Sequence, residues 1–382
     1  MMDQFFLHIL RSFDLSVDPS PEWSVVPITK TQGYSNTRIY RVESTLHDAV
    51  GISINDPNAA SPSAQGKAAL GVPQLWCLRS WPLAEPGAEQ LNWINQQLLL
   101  ASHNCPFVLA PIPSRHSPTA VVEMAGRYWQ LEPWATGQND FHAAPTRQRL
   151  ASVMNGLARL HACWHSDVSV KLTENHIGVW DGRVKGSLGN SAGLRNRLAQ
   201  MEQWRTSAIE LFPRAKLALC RPTEFVSAST ADWLLWIDQV EQYWTAEFEN
   251  CFRRLRLWES VPLRLGPILA DVWSDHLFFL DEQLSTMIDY GAMRMDNAAA
   301  DLSRCLSSLC GADSATREYA INCYQAQRIL TETEIAAIEV YDETSRLLGP
   351  FHWLRWLFIE QKVAPSERLL RRLQSLLWGQ PF

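Results

Sequence analysis

Two aspartates, each at the end of an apolar run, constrain this chain more than any other feature of its sequence. Asp271 ends the run that begins at Ile268, and the polar side chain of His276 follows five residues later. Asp289 lies eighteen residues after Asp271 and begins an Asp-x-Gly sequence that Gly291 completes. A carboxylate can accept a proton or bind a hard cation. Both aspartates are therefore candidates for a proton acceptor or a metal ligand.

Length and composition bound the class of protein. A chain of 382 residues exceeds the size of one simple core, so we expect two lobes or domains. A hydrophobic content of 46% and a charged content of 19% are typical of a well-packed protein rather than a disordered one. The net charge of -6 gives no electrostatic footprint for nucleic acid or for an anionic membrane. We therefore expect no nucleic-acid partner and no membrane partner.

The cysteine pattern and the N-terminus predict a cytoplasmic protein. None of the 8 cysteines forms a Cys-x-x-Cys sequence or a zinc-finger spacing with histidine, which indicates reduced and mostly buried thiols. The first residues lack the basic start and the cleavage site of a signal peptide. No apolar stretch reaches the roughly 18 residues that a membrane span requires.

Strand patterns fill the first third of the chain, and helical patterns fill most of the rest. In the first third we predict a short helix over 3–14, strands over 23–29, 38–43 and 74–79, a helix over 88–103 and a hairpin over 120–132. Later helices are predicted over 147–165, 190–212, 230–258, 299–310, 315–330, 332–347 and 351–380, the last broken at Pro365. This order predicts an α+β fold with an N-terminal lobe over 1–132 and a C-terminal helical lobe over 133–382.

The residues around the two aspartates resemble the aminoglycoside phosphotransferase and choline kinase group of small-molecule kinases. The usual string of that group is His-Gly-Asp-x-His-x-x-Asn followed by Ile-Asp-x-Gly, and here Asp271 and Ile288-Asp289-Tyr290-Gly291 match its main positions. The predicted order of elements is also similar to that of the bilobal, protein-kinase-like fold. The resemblance implies an ATP-dependent phosphotransferase with a small β-sheet lobe and a larger, mainly helical lobe.

The resemblance also implies roles for the two aspartates. Phosphoryl transfer needs in-line geometry, cations against the phosphate charge and a base that orients the attacking hydroxyl. Asp271 is the candidate base, and Asp289 is the candidate ligand of magnesium, which prefers carboxylate and phosphate oxygens. The alternative is that each aspartate only caps a turn between a strand and a helix.

Residues of the N-terminal lobe resemble the nucleotide-binding parts of these kinases. Gly33, Ser35 and Asn36 lie in a sequence similar to the family's Gly-Gly-x-x-Asn loop, with one glycine missing. Arg79 resembles the cation that contacts the nucleotide phosphates, and Glu132 resembles the start of the connector that binds adenine. The resemblance implies ATP as the nucleotide. GTP stays open because backbone contacts to the base leave no mark in the sequence.

Three further assignments depend on the same resemblance. A carboxylate partner for Arg79 is expected from the helix that follows it, where Glu89 is the one acidic residue. Leu160-His161 is similar to the family's structural Leu-His helix. Asp301 matches an aspartate that braces the loop behind the active site, but a role as a helix N-cap is equally consistent with its position.

The catalytic string departs from the family pattern in several places. Leu269 and Ala270 replace His-Gly, so one orienting side chain is absent, and Trp273 stands where the family often has histidine. His276 replaces the second metal-binding Asn, and an imidazole suits manganese or zinc better than magnesium. Alternatively, Asp275 is the second ligand, only one metal is used, or His276 is a packed residue. The rival hypothesis is a catalytically silent, kinase-like protein that binds a nucleotide or another ligand.

The acceptor is expected to be a small molecule that carries a hydroxyl group. Between His161 and Asp271 few acidic residues cluster, and a polycationic aminoglycoside would need several carboxylates. The tryptophans in this segment, such as Trp233, Trp236 and Trp244, are expected to pack in the core. The identity of the acceptor and the oligomeric state stay open.

Overall fold

The computed structural model describes most of the chain and divides it into two compact units. The described residues are 3–15, 22–28, 37–44, 74–84, 86–116, 119–165, 187–220 and 230–378. The first unit contains the described parts of Met1–Asn95 and Ala110–Trp134, and the second contains Gln96–Leu109 and the described residues from Ala135 onward. The domain limits 1–132 and 133–382 stay a prediction. Gly33, Ser35 and Asn36 lie outside the described residues.

The first unit is built on a five-stranded antiparallel sheet. Its strands are β1 (Ser24–Pro27), β2 (Arg38–Glu43), β3 (Leu75–Pro82), β4 (Val122–Met124) and β5 (Arg127–Pro133), in the order β1-β2-β3-β5-β4. Helix α1 (Gln4–Arg11) begins at Asp3, whose side chain accepts from the Phe5 N–H, as expected of an N-cap. The buried face of α1 packs on the sheet, with Leu7 and Leu10 in the same apolar cluster as Leu78. The central strand β3 is therefore buried almost throughout.

The second unit is mainly helical. After α2 (Ala88–Ser102), its helices are α3 (Arg147–His165), α4 (Ala192–Leu219), α5 (Thr230–Leu257), α6 (Ala299–Cys310), α7 (Ser314–Gln325), α8 (Glu332–Leu354) and α9 (Glu367–Trp378). The unit also contains two small sheets. One has three strands, β6 (Ser187–Asn190), β7 (Pro262–Ile268) and β10 (Arg294–Asn297), in the order β10-β7-β6. The other is the hairpin of β8 (Leu277–Leu280) with β9 (Gln283–Met287). In the described part of the chain, no helix is both long and apolar enough to cross a membrane.

Packing in this unit confirms the interpretation of the tryptophans as core residues. Trp233 and Trp236 are fully buried, and Trp244 stacks on Phe351 with ring centroids 4.3 Å apart. These aromatic side chains lie on α5 at helical spacing and connect it to α8. This aromatic packing therefore holds α5 against α8.

Several predicted boundaries differ from the structure. No helix begins at 351, because α8 continues through Pro350 and ends in a π-helical turn, Arg355–Ile359. Burial of Phe351 and Leu354 in the core keeps the helix intact where proline alone would predict a break. Strand β6 was not predicted, since Ser187-Leu-Gly-Asn has no β-branched residue.

Two strand connections position the candidate site. β7 ends at Ile268, directly before Asp271, and β8 and β9 form the hairpin that separates Asp271 from Asp289. Met287, the last residue of β9, also pairs with Val108, which attaches the hairpin to the rest of the second unit. The carboxyl ends of β7 and β9 therefore lie on a fixed framework.

Candidate active site

The backbone before Asp271 has an unusual conformation. Ala270 has φ +65°, a left-handed conformation that favours glycine. The N–H groups of Leu269 and Ala270 each donate to the carboxylate of Asp301, at 2.7 Å. Asp301 is completely buried on α6. These two hydrogen bonds hold the turn that delivers Asp271 to the end of β7.

This geometry decides between the two roles considered for Asp301. The N-cap of α6 is Ala298, so the N-cap interpretation of Asp301 is wrong. The carboxylate instead binds the loop backbone, which confirms that Asp301 braces the loop. His161 supports it from α3, with Nε2 3.1 Å from Asp301 Oδ2. Because burial lowers the pKa of His161, the ring is neutral and its Nε2–H donates to the carboxylate.

A chain of buried polar side chains continues from His161. Its Nδ1 lies 2.8 Å from the Tyr324 hydroxyl, which accepts from Arg328 at 3.2 Å. Arg328 in turn donates to Glu334 at 3.1 Å, and Arg264 pairs with the same carboxylate. Burial of Glu334 would raise its pKa, but the Arg264 hydrogen bond, the Thr331 N–H and the Arg328 charge hold the pKa at about 2. The brace is therefore part of a hydrogen-bonded network rather than an isolated contact.

The carboxylate of Asp271 is held through one of its two oxygens. Arg304 on α6 donates to Oδ1 from Nε at 2.8 Å, and its Nη2 lies 2.6 Å from the same oxygen as an ion pair. The indole N–H of Trp273 donates to the same oxygen at 2.5 Å. Among the described residues, these are the contacts of this carboxylate, and all of them reach Oδ1. The side chain of Asp271 remains 31% exposed, so a small molecule can approach it.

His276 lies between the two aspartates. Its Nδ1 is 2.9 Å from the backbone carbonyl oxygen of Asp271, and its Nε2 is 3.5 Å from Asp289 Oδ2. A carbonyl oxygen only accepts, so Nδ1 carries the hydrogen in the neutral ring. Nε2 is therefore the nitrogen on the side of Asp289 that a metal ion would use, in the arrangement of an imidazole oriented by a backbone acceptor.

Asp289 follows the end of β9 and has φ +68°, another left-handed conformation at a residue other than glycine. Such strain persists where the surrounding structure enforces it and is common at ligand-binding sites. Its side chain is 43% exposed. One ligand atom each from Asp271, His276 and Asp289 lies within 4.8 Å of the others.

This set of donors fits a divalent cation. Two carboxylates supply the oxygen ligands that magnesium prefers, while the imidazole favours manganese. The cluster does not include Asp275, which is exposed and whose carboxylate accepts a 3.4 Å hydrogen bond from Ser274. The structure therefore brings together the three residues that the sequence singled out around the catalytic string.

The predicted nucleotide residues of the first unit have a different environment. Arg79 Nη2 lies 3.0 Å from Glu132 Oε1, and both side chains are buried. The pairing follows from the sheet, since β3 and β5 are neighbours. Glu132 thus occupies the position expected for the helix residue Glu89, which is exposed. The guanidinium of Arg79 also lies over the ring of Trp81, 5.3 Å from its centroid.

Two residues around Asp271 were missed from the sequence. Arg304 binds the carboxylate of Asp271, and the hydroxyl of Ser308 accepts from the Ser274 N–H at 3.0 Å. With Asp301 they occupy positions i, i+3 and i+7 of α6, which lie on one face of a helix. Polar residues at this spacing among Leu302, Leu306 and Leu309 were the available signal.

Comparison with known proteins places this geometry in a family. The family model described as "Phosphotransferase enzyme family" matches residues 72–329. That segment covers more than half of the chain and contains Arg79, Asp271, His276, Asp289 and Asp301.

Curated relatives match over shorter segments. The homoserine kinase of Rhizobium johnstonii is 39% identical over 90 residues, which are 22% of this chain and 28% of that protein. The homoserine kinase of Rhizobium etli is 35% identical over 115 residues, which are 29% of this chain and 36% of that protein. The chain thus spans about a third or less of the length of these relatives.

Solved structures share the fold over nearly the whole chain. An amicoumacin kinase in complex with AMP-PNP, Ca2+ and Ami superimposes with a TM-score of 0.57 at 13% identity, covering 99% of this chain and 94% of that one. A spectinomycin phosphotransferase, APH(9)-Ia, in complex with ADP and spectinomycin gives a TM-score of 0.53 at 10% identity, covering 100% and 94%. These similarities confirm the predicted α+β, bilobal, protein-kinase-like fold.

Proposed function

Because the chain belongs to the phosphotransferase enzyme family, we propose that it transfers the γ-phosphate of ATP to a hydroxyl group of a small molecule. Asp271 is the base in this proposal, and Asp289 and His276 are metal ligands. The observation that carries it is the convergence of ligand atoms from these three residues within 4.8 Å. The Asp301 carboxylate holds the backbone before Asp271, and the β8–β9 hairpin leads to Asp289.

The chemistry assigns separate tasks to the residues. Asp271 orients the acceptor hydroxyl and takes its proton as the new bond between the acceptor oxygen and the γ-phosphorus forms. The bond between the γ-phosphorus and the β–γ bridging oxygen breaks, and ADP leaves. Asp289 and His276 would hold magnesium or manganese, which supplies positive charge against the phosphate oxygens. Water has access to this half-exposed site and is the competing acceptor.

The nucleotide side of the proposal depends on fewer observations. A guanidinium contacts phosphate oxygens well because it stays charged when buried. Arg79 is buried and paired with Glu132, which supports a fixed position for this cation. Gly33, Ser35, Asn36 and Glu132 remain proposed nucleotide-binding residues. ATP is proposed because structural relatives are described with ADP or AMP-PNP, and GTP stays open.

The acceptor class is proposed as a small hydroxylated molecule. Curated relatives are homoserine kinases, but the matched segments are short, so L-homoserine is one candidate among several. Spectinomycin, which one structural relative binds, is another candidate of different charge and size. The test is a panel of these acceptors with ATP, in magnesium and in manganese, with ADP formation as the measurement. Acceptor-dependent ADP formation supports the proposal.

Acceptor-independent hydrolysis separates the enzyme from a silent binding protein. A phosphotransferase should release phosphate slowly from ATP when only water is present, and a silent relative should bind nucleotide without release. Binding is measured by thermal shift, because a ligand of the native state raises its apparent stability. The absence of both nucleotide binding and hydrolysis, with every nucleotide and metal tested, would contradict the proposed function.

One variant tests whether His276 binds the metal ion. His276→Asn restores the oxygen ligand of the family string, so its hydrolysis of ATP should shift toward magnesium relative to manganese. The matched control is His116→Asn, an exposed histidine of the first unit. Equal metal preference in His276→Asn and in the parent would assign His276 to packing and leave the metal with the aspartates.

A further inference from the structure

We propose that Arg304 is a positioning residue that, together with Trp273, fixes the Asp271 carboxylate in its catalytic orientation. This inference rests on the proposed function and extends it to a residue outside the catalytic string. The catalytic string itself lacks an orienting side chain at this point, because Leu269 stands where the family has a histidine. Arg304 reaches the same carboxylate from α6, a separate element.

The geometry separates the two oxygens of Asp271. Two N–H groups donate to Oδ1, one from Nε of Arg304 and one from the indole of Trp273, and the charged Nη2 of Arg304 lies 2.6 Å from the same oxygen. A base needs one oxygen directed at the acceptor, and the other can be used to hold the carboxylate. Oδ2 receives no hydrogen bond in the described part of the chain, so it is the oxygen available to the hydroxyl.

The two donors also hold each other. The guanidinium of Arg304 lies over the ring of Trp273, 4.2 Å from its centroid, which is within the range of a cation–π contact. A second guanidinium, that of Arg372 on α9, lies 5.4 Å from the same centroid. The indole is thus restrained by contacts from α6 and α9 as well as by its hydrogen bond to Asp271. Neither donor can rotate away without losing several contacts.

The helix that carries Arg304 is itself tied to the loop. Three residues earlier, Asp301 binds the N–H groups of Leu269 and Ala270, and four residues later Ser308 binds the N–H of Ser274. One face of α6 therefore holds the backbone before Asp271, the carboxylate of Asp271 and the backbone after it. Positioning of this kind matters because a misplacement of about 1 Å can reduce a rate by roughly 100-fold.

The experiment uses ATP, magnesium and water, with phosphate release as the readout. Arg304→Gln should lower kcat by roughly 10- to 100-fold while KM for ATP changes by less than about twofold, because the guanidinium acts on the base and not on the nucleotide. Arg304→Lys keeps the charge but not the planar guanidinium, so it should recover only part of the rate. Trp273→Phe should lower kcat less, since it removes one donor and keeps an aromatic ring.

The matched control is Arg254→Gln. Arg254 is a half-exposed arginine on α5 that also binds two carboxylate oxygens, on Glu339 and Glu343, each at 3.0 Å. Its replacement should leave kcat and KM within about twofold, as expected for an exposed ion pair outside the candidate site. Melting temperatures of all variants show whether a lost rate reflects lost folding.

A double-mutant cycle distinguishes positioning from a general structural effect. If Arg304 acts through Asp271, Arg304→Gln should lower kcat little further when Asp271 is already Asn. Equal losses in both backgrounds, or a kcat of Arg304→Gln within twofold of the parent, would overturn the proposal. A parent protein that neither binds nor hydrolyses ATP would instead overturn the proposed function, and the positioning role with it.

Discussion

His161 Nε2 lies 3.1 Å from Asp301 Oδ2, and neither side chain is exposed to solvent. The same carboxylate accepts from the two backbone N–H groups that precede Asp271. The contact therefore connects α3 and α6 to the turn that carries the candidate base. A buried neutral histidine and a buried carboxylate are tolerated together because each satisfies the other's hydrogen-bonding capacity.

Removal of this carboxylate should destabilise the fold. Asp301→Ala leaves two buried N–H groups and the His161 ring without their acceptor, so we expect a loss of about 3–5 kcal/mol in the free energy of unfolding. Urea unfolding measures it. The control Asp232→Ala removes an exposed carboxylate on α5 and should cost less than about 1 kcal/mol. Equal losses for the two variants would show that Asp301 is not a brace.

Gly266 on β7 has no room for a side chain. A Cβ atom placed there would lie 2.1 Å from Nε2 of His165. Gly266→Ala should therefore cost about 1–3 kcal/mol of stability, as overpacking does. Adding His165→Ala should recover part of that cost. The control Gly349→Ala on α8 adds a Cβ that meets no described atom beyond its own chain neighbours and helix backbone, and it should change stability by less than about 1 kcal/mol, because helix propensity favours alanine while the following Pro350 disfavours it. A Gly266→Ala variant as stable as the parent would contradict the predicted clash.

Stability should decrease as the pH falls below about 6.5. Burial lowers the pKa of His161, and burial is also the main cause that lowers the pKa of His165 to about 3. Below pH 6.5 the unfolded chain binds protons that the folded chain does not, so each group reduces the free energy of unfolding by up to about 1.4 kcal/mol per pH unit. Urea unfolding between pH 5 and 7 measures the slope.

His165→Leu tests this pH dependence, since Nε2 of His165 is buried and has no hydrogen-bond partner among the residues that the structure describes. In the variant, the free energy of unfolding should change less with pH, by the equivalent of about one proton, and the stability near pH 5.5 should be unchanged or higher. If its slope equals that of the parent, the buried state of His165 is not the source of the pH dependence.

Ala270 offers a test of backbone strain at the catalytic turn. An alanine at φ +65° costs about 1–2 kcal/mol relative to glycine, while glycine adds about 0.5–1 kcal/mol of unfolded-state entropy. Ala270→Gly should therefore be neutral or stabilising by up to about 1 kcal/mol. The control Ala246→Gly, exposed in the middle of α5, should destabilise by about 1 kcal/mol. Similar losses in both variants would contradict the strain at Ala270.

The sequence predicted the parts of the fold that follow from local periodicity and turn chemistry. Helix α3 and strand β2 were predicted with their exact limits, because each has a strong pattern of its own. The continuation of α8 through Pro350 could not be predicted, since tertiary burial overrides the local effect of proline. The same holds for β6, which exists because β7 offers it a partner.

The candidate site was predictable to a similar extent. Asp271, His276 and Asp289 stand out because they are close in sequence and lie at strand ends, and the structure brings them together. The contacts of Arg304 with Asp271 and of Arg79 with Glu132 join residues 33 and 53 positions apart, and only the fold creates them. Long-range pairs of this kind leave no local pattern, which is why Glu89 was expected where Glu132 is found.

The most direct test of the central claim compares Asp271→Asn with Asp289→Ala. Calorimetric titration with ATP, with and without magnesium, is combined with phosphate release under the same conditions. Asp271→Asn should bind ATP with magnesium within about threefold of the parent and lose roughly 100-fold or more in turnover, since it removes a proton acceptor. Asp289→Ala should lose the dependence of ATP binding on magnesium, since it removes a ligand. Unchanged turnover in Asp271→Asn, or unchanged magnesium dependence in Asp289→Ala, would contradict the assignment of these two residues.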